Sequence, residues 1–329
     1  MSKSIVFAVL LGAASLTFAD PFPQDELTWL ETMAFAAHLT DYSGTFVYQF
    51  GSHVETSRVT HVVDANGEHG RLESLDGARR EIIRNNDEVW CYVGDSKVRV
   101  EMRSSDREFP ALLPDQKALS NISENYLIKQ AGEARVAGFH AHAILFQPKD
   151  GQRYGHRMWA DASSGLLLKA EVIDERGETV EQYAFTQLTV GGDIDRSWIA
   201  QEKPGAVKNG AVPNSRQHGA SAKGTAPVGA SGWQVDALPA GFQKIMEVRR
   251  TMHSRAAPAI QMVFSDGLAG ISVFIEENDG DEDDHPGLTS QGAIQVYSEL
   301  VGDHLVTVVG EVPPQTVIQV ANSVRYAGE

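Results

Sequence analysis

Short runs of alternating apolar and polar residues, separated by turn signals, fill residues 42–102 and constrain the fold most strongly. Strand patterns occupy 45–50, 57–63, 68–75, 79–84, 88–93 and 97–102. The segments DANGE, LDGA and NNDE separate them, and Gly, Asn and Asp favour tight turns between strands. Connections this short leave no room for the crossover helix that parallel strands need. The sequence therefore predicts an antiparallel meander.

Helical patterns flank this meander. One helix is predicted at 25–39, where apolar residues recur at helical spacing, and a second helical stretch at 108–129. Further strands are predicted at 139–148, 153–161, 165–174 and 179–190. An antiparallel sheet of this size twists and curls, so its concave face needs a cover or a ligand. The fold class is therefore predicted to be α+β.

A change of composition divides the chain. Residues 201–232 are rich in Gly, Ala, Pro and Ser, which predicts a flexible linker between a domain at 20–200 and a domain at 233–329. The second domain is predicted to be small and α+β. Its strands are predicted near 244–250, 260–265, 270–276, 293–299 and 304–310. A closing helix is predicted to begin at Pro314 and to place Val317, Val320, Ala321 and Val324 on one face.

The first residues have the pattern of a signal peptide. Lys3 precedes an apolar run at 5–14 that is too short to span a bilayer, and Thr17 and Ala19 suit a cleavage site. We expect cleavage after Ala19, which leaves a mature chain from residue 20; an uncleaved anchor is the alternative. No Cys follows the apolar run, so lipoprotein attachment is not expected. Cys91 is the only cysteine, so no disulfide forms within the chain, and its place among apolar residues predicts that it packs in a core.

Charge and motifs exclude several classes of function. Lys and Arg number 28 against 44 Asp and Glu, so the chain's net charge of −16 repels nucleic acid. The chain contains no G-x-S-x-G elbow, phosphate loop, dinucleotide fingerprint or H-E-x-x-H motif. His140 and His142 have no third ligand at metal-site spacing, and the acidic run 276–285 departs from the calcium-loop pattern. We therefore predict no enzyme activity, no cofactor and no metal.

Aromatic residues on the predicted strands suggest a binding surface. Phe46, Tyr48 and Phe50 share one strand face, Trp90 and Tyr92 share another, and Trp159 lies on a later strand. If these faces point inward, the six residues line an apolar cleft for an acyl chain, whose burial contributes roughly 0.8 kcal/mol per CH₂. The alternative is an ordinary core.

Three arginines form a second candidate site. Arg79, Arg80 and Arg84 lie in LDGARREIIR, and alternation places Arg80 and Arg84 on one face. They are candidates for contact with an acidic peptide. The alternative is that they pair with Glu residues on neighbouring strands.

Several blocks of the chain resemble the MucB/RseB family. The segment from YSGTFVYQF to NNDEVWCY (42–92) and the segment YGHRMWADASSGLLLKAEVIDERGETVEQYAFT (154–186) are similar to its N-terminal domain. WQVDALPAGF (233–242), FSDGLAGISVFIE (264–276) and VGEVPPQTVIQVANSVRY (309–326) are similar to its C-terminal domain. The order of domains is the same.

The resemblance implies a fold and a function. The N-terminal domain would be a half-barrel like that of lipoprotein carriers, closed by helices over an apolar concavity. The protein would be periplasmic and would restrain an envelope-stress sigma factor by binding the periplasmic domain of a membrane anti-sigma factor. Binding would shield that factor from proteolysis. An acylated envelope ligand, lipopolysaccharide or a lipoprotein, would release it.

Two alternatives stay open. A lipid or lipoprotein carrier would use the concave domain alone and would have no need of residues 233–329. A hydrolase would need a nucleophile and base that the sequence does not reveal. The sequence also leaves open whether the protein forms a homo-oligomer. Unlike a basic lipid-phosphate site, the loop 277–292 carries no Lys or Arg.

Overall fold

The computed structural model describes residues 26–86, 88–94, 96–100, 119–199, 206–207, 226–227, 231–250, 258–278 and 286–328. The predicted signal peptide at 1–19 lies outside these residues, as do most of the predicted linker and most of the acidic run 276–285. Among the described residues, no helix combines the length and the apolar character needed to cross a bilayer.

The N-terminal domain is built around an antiparallel sheet. Its elements are α1 (Glu26–Leu39), β1 (Tyr42–Phe50), β2 (His53–Asp64), β3 (Gly67–Ser74), β4 (Arg80–Asn85), β5 (Glu88–Val93), β6 (Ser96–Val100), α2 (Leu119–Asn125), β7 (Tyr126–Val136), β8 (Phe139–Pro148), β9 (Gly155–Asp161), β10 (Leu167–Ile173) and β11 (Thr179–Val190). Within the described residues this sheet has 12 strands. The short β12 (Ala206–Val207) pairs in parallel with β6, and the order is β12-β6-β5-β4-β3-β2-β1-β11-β10-β9-β8-β7. The predicted meander is confirmed, and the sheet is open because different strands form its two ends.

One predicted helix ends earlier than expected. The described part of the 108–129 prediction contains α2, which ends at Asn125, and residues 126–129 begin the strand β7. β7 is an edge strand whose side chains are mostly exposed, and its register with β8 shifts between Gln130 and Glu133. Helix-forming Lys, Gln, Ala and Glu residues in this strand hide its β character, since pairing with β8 overrides their preference.

Helix α1 defines the covered face of the large sheet. Trp29, Leu30 and Met33 of α1 pack in one buried cluster with Met158 and Ala170 of the sheet. The face that carries Met158 and Ala170 is called here the helix-side face, and the other is the outer face. The stretch 194–199 covers part of the outer face, where Ile194 and Trp198 pack on Val62 and Ile83.

The described part of the C-terminal domain contains a second sheet, with seven strands. Its elements are β13 (Ala226–Pro227), β14 (Trp233–Val235), β15 (Gln243–Arg250), β16 (Ala259–Ser265), β17 (Gly270–Glu277), β18 (Gly287–Gln291), β19 (Ile294–Val301), β20 (His304–Gly310), α3 (Pro314–Ala321) and β21 (Val324–Tyr326). The order in the sheet is β13-β15-β16-β17-β20-β19-β18, while β14 and β21 form a separate pair. The small α+β domain is confirmed, and β13, which lies within the predicted linker, and β14, β18 and β21 were missed by the sequence patterns.

The closing helix ends earlier than predicted. Pro314 begins α3, as expected, but the helix ends at Ala321 and Val324 lies in β21. Val324 is nevertheless 5% exposed and packs in the same core cluster as Val317 and Val320. The helical spacing of Val324 led to its inclusion in the predicted helix, but the strand β21 places its side chain in that core.

Candidate functional site

The C-terminal domain docks on the N-terminal domain through the turn between β16 and β17. Residues 265–270 are called here the docking turn. Asp266 in this turn is fully buried, and its carboxylate Oδ1 accepts hydrogen bonds from the backbone N–H groups of Leu268 (2.9 Å) and Ala269 (2.7 Å). One oxygen of the carboxylate therefore shapes the turn itself and leaves the other for the neighbouring domain.

The second oxygen of Asp266 binds the N-terminal domain. Arg153 Nη1 donates to Asp266 Oδ2 at 2.6 Å, and the side chains of both residues are 0% exposed. The Tyr126 hydroxyl donates to the same oxygen at 3.0 Å. A buried charge needs this degree of pairing, because an unpaired one would lose its hydration without compensation.

The guanidinium of Arg153 is paired on every side. It donates to the carboxylate of Asp150 through Nε and Nη2, each at 3.1 Å, and Nη2 also donates to the backbone carbonyl of Ala240 at 2.5 Å. Its central carbon lies 5.5 Å from the ring centre of Tyr126 and 5.4 Å from that of Phe242, within range of cation–π attraction. Arg153 thus joins β9's preceding loop to two loops of the other domain.

These contacts perturb two ionisable groups. Burial raises the pKa of Tyr126 well above its usual value of 10.0, and the neighbouring Asp266 charge raises it further. Burial acts to lower the pKa of Arg153, but the charge of Asp266 and the hydrogen-bonded carboxylate of Asp150 outweigh it, so the pKa of the guanidinium is raised. Tyr126 therefore stays a hydrogen-bond donor and Arg153 stays charged.

An apolar contact accompanies the ion pair. Leu268, in the docking turn, is 2% exposed and belongs to the buried cluster of the N-terminal domain that contains Trp29, Leu30 and Ile122. Beside it, Asn121 of α2 donates to the backbone carbonyls of Gly241 (2.7 Å) and Asp266 (3.1 Å). The turn thus inserts a leucine into the core of the other domain.

A second turn of the C-terminal domain lies on the helix-side face. Glu181 of β11 accepts hydrogen bonds from the backbone N–H of Ala293 at 2.9 Å and from the Tyr48 hydroxyl at 2.8 Å. Ala293 is 1% exposed and packs with Tyr154 and Val172 of the N-terminal domain. The turn between β18 and β19 therefore covers the end of the helix-side face.

A third contact is polar and more exposed. The Thr316 hydroxyl of α3 donates to the carbonyl of Gln152 at 2.9 Å, and the side chains of Gln152 and Gln319 are bonded at 2.8 Å. Gln315 donates to the carbonyl of Gly151 at 3.2 Å. The loop before β9 is therefore held by both the docking turn and α3.

The structure separates the six predicted pocket residues into two groups. Strand pairing aligns Tyr48 with Tyr183, Tyr183 with Ala170 and Ala170 with Met158, which places Tyr48 on the helix-side face. Phe46 and Phe50 share that face by alternation. Phe46 packs in a buried cluster with Phe185, and the rings of Tyr48 and Phe50 are 5.5 Å apart.

The other three aromatic residues lie on the outer face. Trp90 and Tyr92 pair across β4 with Ile83 and Glu81, and Tyr92 packs on the outer cluster of Ile83 and Trp198. Trp159 alternates with the buried Met158, and its ring lies 4.6 Å from the ammonium of Lys169. The six residues do not line one cleft. A lipid pocket at Phe46, Tyr48 and Phe50 stays a prediction. Trp90, Tyr92 and Trp159 lie on the opposite face of the sheet and share no surface with them.

The three predicted arginines lie at the far part of the same sheet. Arg80 and Arg84 pair with Val93 and Val89 of β5, which places both on the helix-side face, whereas Arg79 is exposed just before β4. Arg84 donates to the carbonyl of Asn86 at 2.7 Å, and its guanidinium lies 3.9 Å from the carboxylate of Glu68. Peptide contact by these arginines stays a prediction.

A cluster of charged and aromatic residues joins the end of α1 to the sheet. Glu68 of β3 bonds to His61 Nε2 at 2.8 Å and to His38 Nδ1 at 3.3 Å. Burial acts to raise the pKa of Glu68, but the hydrogen bonds with His38 and His61 outweigh it and hold the pKa well below 4.5. The bond with Glu68 raises the pKa of His38 above 6.5 despite partial burial. This cluster fastens the end of α1 to β2 and β3.

Cys91 occupies the place that the sequence predicts for it. The thiol is buried, with the residue 2% exposed, and burial raises its pKa above 9.0. A protonated, covered thiol is a weak nucleophile. The predicted packing role is therefore confirmed.

The residues of the domain interface were missed by the sequence patterns. Arg153 and Asp266 are 113 positions apart, and neither belongs to a recognisable motif. The only local signal was an apolar Leu268 within the turn SDGLAG, where polar residues are usual. A leucine at a turn tip indicates a surface that another element covers.

Comparison with known proteins matches both domains. Residues 25–203 match the family model of the MucB/RseB N-terminal domain, and residues 227–325 match that of the MucB/RseB C-terminal domain. The Pseudomonas aeruginosa sigma factor AlgU regulatory protein MucB is 30% identical over 316 residues, which cover 92% of this chain and 91% of that protein. The Escherichia coli K12 sigma-E factor regulatory protein RseB is 26% identical over 329 residues, with 98% of each chain covered.

A solved structure shows the same overall arrangement. The crystal structure of MucB in complex with MucA(peri) superposes with a TM-score of 0.71 at 28% identity, covering 93% of this chain and 100% of that one. Both domains, their order and their fold are therefore shared with that protein. The chain belongs to the MucB/RseB family.

Proposed function

We propose that this protein is a periplasmic negative regulator of an envelope-stress sigma factor, acting by binding the periplasmic domain of a membrane anti-sigma factor. The observation that carries the proposal is the match over 93% of the chain, across both domains, to MucB in complex with MucA(peri). The names of the relatives also describe them as regulators of sigma factors. Bound anti-sigma factor would be shielded from proteolysis, which keeps the sigma factor inactive.

An acylated envelope ligand is proposed as the releasing signal. On the helix-side face Phe46 and Tyr48 are buried and Phe50 is partly exposed, and the turn of Gly292 and Ala293 lies over the end of this aromatic surface. An acyl chain that occupied this surface would compete with the C-terminal domain for it. A ligand shifts such an equilibrium only by its difference in affinity for the two arrangements.

Calorimetric titration of the mature chain, residues 20–329, with the periplasmic segment of the anti-sigma factor from the same organism tests the proposal. We expect saturable binding with one peptide per chain and no peptide cleavage. Lipid A added to the complex should weaken binding by roughly 5-fold to 150-fold, the usual range of coupling between sites. Absence of peptide binding by the folded chain would contradict the proposal.

Residues 20–200 alone supply the control that separates regulator from carrier. A regulator that uses both domains should lose affinity for the peptide when residues 201–329 are removed. A carrier should instead retain acylated cargo in the N-terminal domain alone and show no need of the C-terminal domain.

A further inference from the structure

The docking turn connects two strands of the C-terminal domain, but its leucine packs in the core of the N-terminal domain. Ala269 and Ile271 lie in the core cluster of the C-terminal domain, whereas Leu268 lies in the core cluster of the N-terminal domain. The chain therefore changes from one core to the other between two consecutive residues. A turn that was only a connection between β16 and β17 would have no reason to bury a leucine away from its own sheet.

The two carboxylate oxygens of Asp266 also bind different domains. Oδ1 of Asp266 holds the turn's own backbone, and Oδ2 binds Arg153 and Tyr126 of the N-terminal domain. The shape of the turn therefore does not depend on the neighbouring domain. Arg153, in contrast, meets the other domain through the charge of Asp266 and the carbonyl of Ala240.

We infer that the docking turn is a withdrawable lock that sets the orientation of the two domains, with Arg153 as the positioning residue that holds it. Withdrawal breaks no strand pairing, since the ladders of β16 with β17 and of β8 with β9 do not use Asp266, Leu268 or Arg153. It leaves the C-terminal core complete and opens the N-terminal core where Leu268 was. Both domains thus stay folded while their relation changes.

The lock also offers a way for a ligand to control binding of the anti-sigma peptide. A peptide that contacts both domains binds best to one fixed orientation, and a ligand that favours the withdrawn turn releases that peptide. This consequence rests on the proposed function, whereas the lock itself does not. The two are therefore tested by separate measurements on the same variants.

The test uses Asp266→Asn in the mature chain. Asn keeps an oxygen for the amides of Leu268 and Ala269 but removes the charge that Arg153 binds. Asp236→Asn is the matched control, because Asp236 also pairs with an arginine, Arg325, in an exposed pair within the C-terminal domain. Hydrogen exchange is followed in α2, the docking turn and β20, and the radius of gyration is measured by X-ray scattering.

Loss of one partner of a buried ion pair should shift the docking equilibrium by roughly 100-fold or more. In Asp266→Asn we therefore expect faster amide exchange by that factor in α2 and the docking turn, unchanged exchange in β20, and a larger radius of gyration. Asp236→Asn should behave like the wild type. Equal exchange in Asp266→Asn and the wild type would overturn the inference.

A variant on the opposite side covers the case in which Asp266→Asn loosens the C-terminal sheet itself. Arg153→Met removes the charge pair from the side of the N-terminal domain, together with the bonds to Asp150 and Ala240. It leaves in place the carboxylate that accepts from the amides of the docking turn. It should reproduce the faster exchange in the turn, and the double variant should change it by less than the sum of the two. Unchanged exchange of the turn in Arg153→Met would overturn the lock.

Peptide titration of the same variants separates the two proposals. If the wild type binds no anti-sigma peptide while Asp266→Asn shows faster exchange in the docking turn, the lock stands and the proposed function fails. If the wild type binds peptide and the exchange in the turn does not change, the function stands and the lock fails. Success of both requires weaker peptide binding in Asp266→Asn and in Arg153→Met, with Asp236→Asn unaffected.

Discussion

The C-terminal domain builds its core from its own residues, whereas the N-terminal domain takes part of its core from its neighbour. Among the described residues, the large buried cluster of the C-terminal domain contains members from Trp233 to Val324 and none from the first domain. Two clusters of the N-terminal domain contain a residue from the second domain, Leu268 in one and Ala293 in the other. Docking therefore completes the core of the N-terminal domain, whereas the core of the C-terminal domain is complete without it.

This asymmetry has a direct consequence for regulation. A domain with a complete core can move as a rigid body, because separating it exposes little of its own interior. The domain that loses Leu268 and Ala293 is instead left with apolar surface to cover. Any ligand that covers this surface favours separation, which is the direction that release of a bound peptide requires.

The largest expected effect comes from truncating two buried residues that lie three positions apart. Leu268 and Ile271 are both nearly or fully buried, but they belong to the cores of different domains. Each change to Ala should cost about 2–5 kcal/mol of local stability. Leu268→Ala should destabilise the N-terminal domain and its docking, and Ile271→Ala should destabilise the C-terminal sheet.

Hydrogen exchange resolved by segment distinguishes these outcomes. Leu268→Ala should speed exchange in α1 and α2 and leave β17 and β20 protected, while Ile271→Ala should do the reverse. The comparison between the domains breaks if Leu268→Ala loosens β17 as much as Ile271→Ala does. In that case the leucine would stabilise its own sheet.

A smaller effect is expected at the second turn, where a pair of glycines allows a matched test. Gly292 and Gly302 both adopt the left-handed region, with φ of 59° and 60°. An added Cβ at Gly292 would lie 2.5 Å from Glu181 Oε2 and 3.1 Å from the Tyr48 hydroxyl, whereas one at Gly302 meets nothing within 4 Å. Gly302→Ala therefore measures the backbone cost alone, about 1–2 kcal/mol.

Gly292→Ala should pay the same backbone cost and also weaken docking. We expect an additional loss of roughly 1–3 kcal/mol, the cost of disturbing the buried bonds to Glu181. Chemical denaturation of the whole chain measures both variants, followed by tryptophan fluorescence to which Trp233 of the C-terminal domain and the tryptophans of the N-terminal domain contribute. Equal losses in the two variants would show that the turn at Gly292 contributes nothing to the N-terminal domain.

The fold was predictable where the signal is local. Alternation over six to eight residues produced the meander from β1 to β6, and helical spacing produced α1, because both periodicities follow from backbone geometry. The strand β7 was not predicted because its Lys, Gln, Ala and Glu residues favour a helix. Only its pairing with β8, which the local sequence does not reveal, makes it a strand. The strands β14, β18 and β21 are too short or too polar to show alternation above background.

The site was less predictable because it depends on contacts between distant segments. Alternation correctly paired Trp90 with Tyr92, and Tyr48 with Phe46, on common faces. It could not decide which face each pair occupies, because that needs the register across several strands. The bond of Arg153 to Asp266 joins positions 113 apart and leaves no periodic trace. Only the exceptional Leu268 in a turn indicated that something covers it.

The smallest expected effect concerns the cluster of His38, His61 and Glu68, which holds α1 over the core that accepts Leu268. The folded state raises the pKa of His38 above 6.5 and lowers the pKa of Glu68 below 4.5. The contribution of His38 is therefore complete below pH 6.5 and disappears as the pH rises through its folded pKa. That of Glu68 is present above pH 4.5 and disappears as the pH falls through its folded pKa.

The N-terminal domain should thus gain most from this cluster between about pH 4.5 and 6.5. His38→Gln should reduce stability at pH 6 by under about 1 kcal/mol, since the side chain is 58% exposed and solvent screens the pair. The loss should shrink as the pH rises above 6.5, because wild-type His38 loses its charge as the pH passes through its raised pKa. Urea denaturation of the N-terminal domain at pH 6 and pH 8.5 measures this, with Glu68→Gln as a variant that should lose more because it also frees the buried His61. A loss in His38→Gln that is equal at both pH values would mean that the charge of His38 does not help to hold α1 over the core that accepts Leu268.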